Sequence, residues 1–368
     1  MKTSEMLTAL GLAKSSLGPN DSQMQVLTHF CFVDDIIYAY NDITAVVVEA
    51  QTGLSCALHG ETLMGILAVA GAEEVKIKLE GGGASLDVGN GWVKIPVLPK
   101  EDFLFLFPDE DPVLELTFTD AMAAAFERCL MSVGTDTLRP EFSGITVQVN
   151  KDSVVFYSTD NVSATRFKPE GKFLSRKTMT TVIPGIACEQ MLKLRGPDTK
   201  IALGERAGVM SAGQVTLVTK LLPAVVGQFE GIFAKHVEPS TFCPLPVELG
   251  REIAKAVVLL GKESVKRCVL NFGRGEATVS ASGVLGSMKT TVPMPKNQPV
   301  NGLVIMSPEL IARILPYADT IAVNDQSSLV FQKGGMTHII SSSAVSKPPP
   351  KGNKNKVDAD GLEEDIPF

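Results

Sequence analysis

Residues 75–95 read VKIKLEGGGASLDVGNGWVKI, three short runs of alternating apolar residues separated by two glycine-rich turns. Successive side chains of a strand point to opposite faces, so alternation with a period of two predicts three half-buried strands. The glycines at 81–83, 89 and 91 tolerate the positive φ that tight hairpins need. The stretch therefore predicts an antiparallel three-strand meander.

The meander occurs three times along the chain. Similar alternating runs with glycine turns follow at 200–218 and 320–340, and the matching residues Ile77, Ile201 and Ile321 are 124 and 120 residues apart. A spacing of this size is that of a whole domain and is far longer than the unit of a solenoid. The chain is therefore predicted to contain three copies of one supersecondary unit.

Each meander is preceded by the same order of elements: a helix, two strands and a second helix. The first copy has the helix pattern Met6, Leu7, Leu10 and Leu17, strands 30–33 and 36–40 joined by a tight Asp34-Asp35 turn, and helix 61–69. The second copy has the helix stripe Met122, Phe126, Leu130 and Val133, strands 145–149 and 154–157, and helix 188–194. The third copy has the stripe Leu249, Ile253, Val257 and Leu260, strands 268–272 and 277–280, and helix 308–315. Each helix stripe must be buried against a sheet.

The predicted fold class is α+β, with three tandem similar domains that each contain two helices and antiparallel sheets. We place the domains at 1–113, 114–236 and 237–343, followed by a disordered linker and acidic docking tail at 344–368. The stretch 347–356 is rich in Pro and Lys and has no apolar period, which favours an extended linker. The alternative is a chance likeness among generic α+β segments, and the repetition of the turns argues against it.

The composition indicates a globular protein and limits its partners. Of 368 residues, 45% are hydrophobic and 20% are charged, and the formal net charge is −7. No apolar run approaches the ~18 residues of a membrane span, and the N-terminus lacks a secretory signal, so we expect a cytoplasmic protein with no membrane partner. The negative charge argues against direct neutralisation of many phosphates, which requires clustered Lys and Arg.

The sequence contains no motif of an enzyme or a metal site. Residues 261–264 (GKES) lack the upstream glycine and the hydroxyl residue after lysine of a phosphate-binding loop. Residues 59–61 (HGE) are similar to the start of a zinc deaminase signature, but no Pro-Cys-x-x-Cys follows and the histidines never pair at metal-ligand spacing. The cysteines lack Cys-x-x-Cys spacing and are expected to be buried apolar residues. We therefore expect no enzyme activity, no cofactor and no metal.

Three segments carry a resemblance to a known family: 98–103 (LPKEDF), 138–145 (LRPEFSGI) and 158–160 (STD). Their order and spacing are similar to the Leu-Pro-x-x-Asp-Phe, Arg-Pro-x-Leu-Asn-Gly-Val and Ala-Thr-Asp segments of the β subunit of bacterial DNA polymerase III, the sliding clamp. The resemblance covers residues 1–343. It implies a homodimer of three-domain subunits, packed head to tail into a closed ring with helices lining the hole.

Such a ring implies a DNA-binding processivity factor in DNA replication that encircles double-stranded DNA, with a DNA polymerase and a clamp loader as partners. Retention by enclosure needs only a sparse basic lining, which answers the objection raised by the net charge. Arg251, Lys255 and Lys262 have helical spacings that place them on one face. The other candidates are Lys14, Arg128, Lys193, Arg195 and Arg313. The alternative interpretation of all these residues is ordinary solvated surface.

The family's partner-peptide pocket lies between its second and third domains. The resemblance maps its lining onto Phe142, Thr159, Asn161, Val162, Ser163, Ala164, Ile339 and Ile340. After Asp160 this chain has Asn-Val-Ser-Ala where the family has Gly-His-Arg-Leu. The pocket is therefore predicted to prefer a different peptide or to be degenerate.

A second departure lies in the loop after the first helix. This chain has 18–20 (GPN) where the family often has a DNA-touching Arg.

The chain ends in a segment similar to the C-terminal tip of bacterial single-stranded-DNA-binding proteins (SSB). Its residues are Glu363, Glu364, Asp365, Ile366, Pro367 and Phe368. In that family the terminal Phe enters an apolar pocket of a partner, and the carboxylates meet basic residues. The resemblance predicts a docking tail for proteins that bind SSB tips, an arrangement suited to phage or plasmid replication. The alternatives are a solubilising acidic tail, a single-stranded-DNA-binding protein, or an adaptor or decoy acting mainly through the tail.

Overall fold

The computed structural model describes residues 1–342 with short gaps. The residues left out are 90, 104, 137–138, 172, 174, 176, 225–226, 238–240, 274, 296–299 and 325–326. The predicted linker and docking tail at 344–368 lie outside the described residues. We keep the predicted domain boundaries as labels for the three parts of the chain.

Domain 1 contains the predicted meander and two long strands. Its elements are α1 (Thr3–Ala13), β1 (His29–Tyr40), β2 (Thr44–His59), α2 (Gly60–Val69), β3 (Lys76–Glu80), β4 (Gly83–Asp87) and β5 (Trp92–Leu98). The predicted turn at Asp34-Asp35 is wrong, because β1 continues through it with only a register irregularity between Asp34 and Ile36. The long strand β2, which was not predicted, pairs with both halves of β1 and holds them in one sheet.

Domains 2 and 3 repeat this order of elements. Domain 2 has β6 (Leu114–Thr117), α3 (Asp120–Leu130), β7 (Gly144–Val149), β8 (Val154–Thr159), β9 (Ser163–Phe167), β10 (Met179–Pro184), α4 (Gly185–Leu194), β11 (Lys200–Leu203), β12 (Ala207–Ala212), β13 (Val215–Lys220), β14 (Leu222–Pro223) and α5 (Gln228–Val237). Domain 3 has β15 (Cys243–Pro244), α6 (Val247–Leu259), β16 (Cys268–Gly273), β17 (Glu276–Gly283), β18 (Gly286–Pro293), β19 (Gly302–Met306), α7 (Pro308–Ile314), β20 (Thr320–Val323), β21 (Leu329–Lys333) and β22 (Met336–Ile340). Ile77, Ile201 and Ile321 are each the second residue of a first meander strand, which confirms the threefold repeat.

Neighbouring domains are joined by strand pairing. At the first junction β2 pairs antiparallel with β13, and at the second junction β9 pairs antiparallel with β22. Val48 lies opposite Val215 and Phe167 lies opposite Met336. The register is the same at both junctions. Val48 and Phe167 are each the fifth residue after a two-residue hairpin loop, and Val215 and Met336 are each the first residue after another such loop. The sheets therefore run across the domain boundaries and bury edges that would otherwise stay unpaired.

One strand in the first domain and one in the last domain are equivalent to the strands paired at the junctions but keep an open edge. Strand β18 pairs only with β17 among the described residues and forms the edge of the sheet β18-β17-β16-β19. Strand β5 pairs with β4 along 92–96, and its other edge there has no partner among the described residues. Each end of the chain thus presents backbone donors and acceptors of the type used at the internal junctions.

The helices of the repeats form a layer on one side of the sheets. The pairs α1–α2, α3–α4 and α6–α7 pack together within the domains. Neighbouring pairs also touch, since the Gln190 side chain donates to the Ser15 carbonyl at 2.6 Å and Arg313 donates to the Met131 carbonyl at 3.0 Å. Helix α5 packs on the opposite side, where the Phe229 ring lies 4.9 Å from that of Tyr157.

Gly335 provides a test of the second junction. It lies in the β21–β22 hairpin and its carbonyl accepts the Lys168 N–H at 2.9 Å, and an added Cβ would overlap the Lys168 carbonyl oxygen. We expect Gly335→Ala to lower the free energy of unfolding by about 1–3 kcal/mol, because the two strands must move apart. The control Gly11→Ala adds a methyl to α1 with nothing within 4 Å, and we expect it to raise stability by about 0.5–1 kcal/mol. Urea denaturation measures both, and an unchanged Gly335→Ala protein would contradict the tight fit.

Candidate functional site

Exposed basic side chains are spread over the helix layer. Lys14 follows α1 in a short 3-10 turn, Lys193 lies in the last turn of α4, and Arg251 lies on α6. All three are exposed, and none forms a salt bridge within the described part of the chain. These three predicted side chains are therefore available to a polyanion.

Two further candidates on this layer are paired with carboxylates. Arg195 lies 2.9 Å from Asp120, and Lys255 lies 2.8 Å from Glu252. Lys262 departs from the prediction of a common helical face, because α6 ends at Leu259 and the chain leaves the helix before Gly261. Glycine has a low helix propensity, which favours that ending.

Arg128 and Arg313 hold the second junction together on the helix side. The Arg128 guanidinium lies 3.6 Å from the ring centroid of Tyr317, and its side chain is only 19% exposed. Arg313 donates to the Met131 carbonyl and stays exposed. Arg128 is therefore mainly a packing residue here, whereas Arg313 combines a structural contact with an exposed charge.

A cavity of about 200 Å³, the junction-2 pocket, lies on the sheet side of the second junction. Its lining includes seven of the eight predicted residues: Phe142, Thr159, Asn161, Val162, Ser163, Ala164 and Ile339. The prediction for Ile340 is wrong, because this side chain is fully buried in the core of domain 3. Neighbouring residues of a strand face opposite sides, so Ile339 and Ile340 cannot both line one pocket.

Sequence reasoning missed the part of this pocket that comes from α5. Ile232 and His236 complete the lining together with Ser341. Burial and the charge of Lys235 lower the pKa of His236, so its ring is neutral at pH 7. The spacing of Phe229 and Phe233, four residues apart, was a signal of an amphipathic helix here.

A chain of buried polar side chains crosses the second junction behind the pocket. The Ser163 hydroxyl lies 3.1 Å from the Asp160 carboxylate and 3.0 Å from the Ser132 hydroxyl. Thr165 continues the chain, 2.8 Å from Ser132 and 2.8 Å from Nδ1 of His338. His338 is 2% exposed, and burial, with a smaller effect of Arg313, lowers its pKa to about 3. A neutral histidine is therefore built into the domain boundary.

The described residues contain little other chemistry. No group of three or more His, Cys, Asp and Glu among them is placed to hold a metal ion. The six cysteines are buried, as predicted, and all are free thiols. None of the described helices combines the length and the apolar character needed to span a bilayer. The surfaces to be explained are therefore the helix layer, the pocket and the open strand edges.

The repeat order and the two junctions define the fold of a three-domain sliding clamp. No protein-family model matches the sequence. The crystal structure of a putative DNA polymerase III β subunit from Eubacterium rectale is similar with a TM-score of 0.81 at 13% identity, covering 94% of this chain and 98% of that chain. The Bacillus subtilis DNA polymerase sliding clamp is similar with a TM-score of 0.81 at 13% identity, covering 94% of this chain and 98% of that chain. The Helicobacter pylori β clamp bound to a DNA ligase peptide is similar with a TM-score of 0.76 at 14% identity, covering 94% of this chain and 98% of that chain. The predicted α+β fold of three tandem clamp domains is confirmed.

His338→Gln tests the buried polar chain through pH. The pKa of His338 falls from 6.5 to about 3 on folding. Its neutral form therefore favours the folded state fully above pH 6.5, and this contribution is lost as the pH falls towards 3. Between about pH 6 and pH 4 we expect the wild-type free energy of unfolding to fall more steeply than that of the variant, by up to about 1.4 kcal/mol per pH unit. Urea denaturation across this range measures both slopes, and equal slopes would show that His338 does not titrate on unfolding.

Proposed function

We propose that this protein is a DNA sliding clamp, a processivity factor that encircles duplex DNA and tethers a polymerase, and that it has no enzyme activity of its own. The observation that carries the proposal is the pair of open strand edges at the two ends of the chain. They are of the two types that pair at both internal junctions. A second copy offers the missing partner for each edge, so head-to-tail association of two chains closes a ring.

The internal register predicts the pairing at this third junction. Applied to β18 and β5 of another copy, it places Thr290 opposite Gly91 and Ser287 opposite Lys94. Both strands are antiparallel edge strands with exposed backbone groups, and pairing them satisfies these groups. The third junction would then repeat the geometry of the first two.

Exposed apolar side chains at both ends support the same contact. Val258, at the end of α6, is 77% exposed, and Leu285 in the β17–β18 loop is also exposed. At the other end Trp92, the first residue of β5, is 71% exposed, and Val69 at the end of α2 is exposed as well. Contiguous exposed apolar patches often mark interfaces, and head-to-tail association would bring these two sets of residues together into one patch.

In a closed ring the helix layer would face the DNA. Lys14, Lys193, Arg251 and Arg313 would supply a sparse positive lining on a chain of net charge −7. Few phosphate contacts permit sliding, and retention then depends on the closed ring. The remaining predicted candidates contribute less. Arg195 and Lys255 are paired with carboxylates, Arg128 is mostly buried against Tyr317, and Lys262 lies beyond the end of α6.

The junction-2 pocket is proposed as the docking site for a polymerase and a clamp loader. Phe142, Val162 and Ile339 give it apolar lining, and the neighbouring Arg139 guanidinium lies over the Phe142 ring. A clamp of this fold from Helicobacter pylori is known in complex with a DNA ligase peptide. We propose that the tail ending at Phe368 adds a second means of recruitment, directed at proteins that bind SSB tips.

A cysteine pair tests the ring. All native cysteines are buried, so in a Lys94→Cys/Ser287→Cys protein only the new pair can react. We expect oxidation of protein that has first been incubated with circular DNA to give covalent dimers that stay on the circle at high salt and are released when the circle is cut. The control pair Trp92→Cys/Ser287→Cys is two residues out of register, so its Cα atoms lie at about 7–8 Å, beyond easy disulfide reach. Absence of cross-linking in a protein that stays monomeric, or equal retention on linear and circular DNA, would refute the ring.

Removal of residues 366–368 separates the clamp from its alternatives. We expect the shortened protein to lose binding to a protein that recognises SSB tips, while dimer formation and retention on circular DNA stay unchanged. The control is removal of residues 353–355 from the linker. Loss of every partner interaction, including polymerase stimulation, would favour an adaptor or decoy. Tight, salt-sensitive binding to single-stranded oligonucleotides would favour a single-stranded-DNA-binding protein.

A further inference from the structure

A second cavity lies on the sheet side of the first junction, at the position equivalent to the junction-2 pocket. This junction-1 cavity has a volume of about 270 Å³. Ile43, Ala45 and Val218 line it, and by the register of the two junctions they correspond to Val162, Ala164 and Ile339 of the junction-2 pocket. The repeat has therefore produced two pockets of the same construction in one chain.

The linker between domains 1 and 2 gives this cavity an apolar wall. Phe105 is held against β1, with its ring 5.6 Å from the ring of Tyr40 and 5.2 Å from that of Phe107. Leu106 lines the cavity although it is 86% exposed, and Phe107 is exposed as well. The proposed ring contact uses β5, β18 and the helix ends, so it does not cover these linker residues. A large apolar surface next to a cavity is typical of a binding site.

The charges around the cavity are mainly negative. Asp42 and Glu110 are paired with cations: Lys220, which itself lines the cavity, lies 2.8 Å from Asp42, and Arg206 lies 3.7 Å from Glu110. The exposed Asp109 and Asp111, which follow Pro108, form no salt bridge among the described residues and leave an excess of negative charge beside the lining. A ligand with its own carboxylates would be repelled here, whereas a cationic one would be attracted.

We propose that the junction-1 cavity is a second peptide-docking site, and that its ligand is a short segment of a partner protein with adjacent apolar and aromatic residues between basic flanks. The inference rests on the proposed clamp function, since it assumes that partners dock on the sheet side. It gives each chain two docking sites of different charge preference. The chain's own acidic tail is disfavoured as the occupant by the charge of the rim.

Fluorescence anisotropy with labelled peptides tests the proposal on the full-length protein. The probes are a peptide with Leu-Phe between lysines, the same peptide with glutamates in place of the lysines, and a peptide of residues 358–368. Ala207→Trp fills the junction-1 cavity, and Ser341→Trp fills the junction-2 pocket as the matched control. We expect Ala207→Trp to weaken binding of the lysine-flanked peptide by about tenfold or more, and Ser341→Trp to leave that binding largely intact.

A second variant, with changes only on the surface, keeps the test decisive if the Ala207→Trp protein does not fold. Asp109→Lys/Asp111→Lys reverses two exposed charges outside the core, and we expect it to weaken the lysine-flanked peptide by about threefold to tenfold. Unchanged binding in both Ala207→Trp and the charge variant would overturn the second site. If only Ser341→Trp abolishes peptide binding, the clamp proposal stands and the second site is wrong. Tighter binding of the 358–368 peptide than of the lysine-flanked peptide to the Ser341→Trp protein would overturn the assigned ligand.

Discussion

Antiparallel pairing of strand edges between neighbouring domains is the constraint on which the rest of the structure depends. Each repeat ends its two sheets in a strand with unpaired N–H and C=O groups, and such edges are satisfied only by another strand or by water. Inside the chain β2 meets β13 and β9 meets β22. Among the described residues, β5 along 92–96 in the first domain and β18 in the last domain keep open edges of the two types that pair at the internal junctions.

The two junctions also determine where the candidate binding surfaces lie. On one side, Gln190 and Arg313 join helices of neighbouring domains into a continuous layer that carries the exposed basic residues. On the other side, the same strand pairing leaves a pocket at each internal junction. The two pockets differ because different linkers cover them: α5 supplies Ile232 and His236 at one, and an extended segment supplies Phe105 and Leu106 at the other. The repeat thus produces an equivalent pocket at each internal junction, and the different linkers give the two pockets different linings.

The predictions succeeded where the pattern was local and failed where distant segments decided the outcome. The meanders and most helices follow from alternation, helical spacing and glycine turns. Strand β9, which reads Ser-Ala-Thr-Arg-Phe, has no clear alternation, since it lies between β8 of its own domain and β22 of domain 3 and its first three residues are all buried. The misplacement of Ile340 came from treating two neighbouring residues as one wall, and that of Lys262 from extending a helix past its end.

The amino-acid sequence by itself determined the threefold repeat, the α+β class and the acidic C-terminal segment, since these depend on periodicity, turn residues and composition within short windows. Only the tertiary structure decided which strand edges are paired and which stay open, that Arg128 lies over Tyr317, and that two equivalent pockets exist. The physical reason is that register and burial across a domain boundary depend on residues more than 150 positions apart, such as Val48 and Val215. No local pattern contains that information.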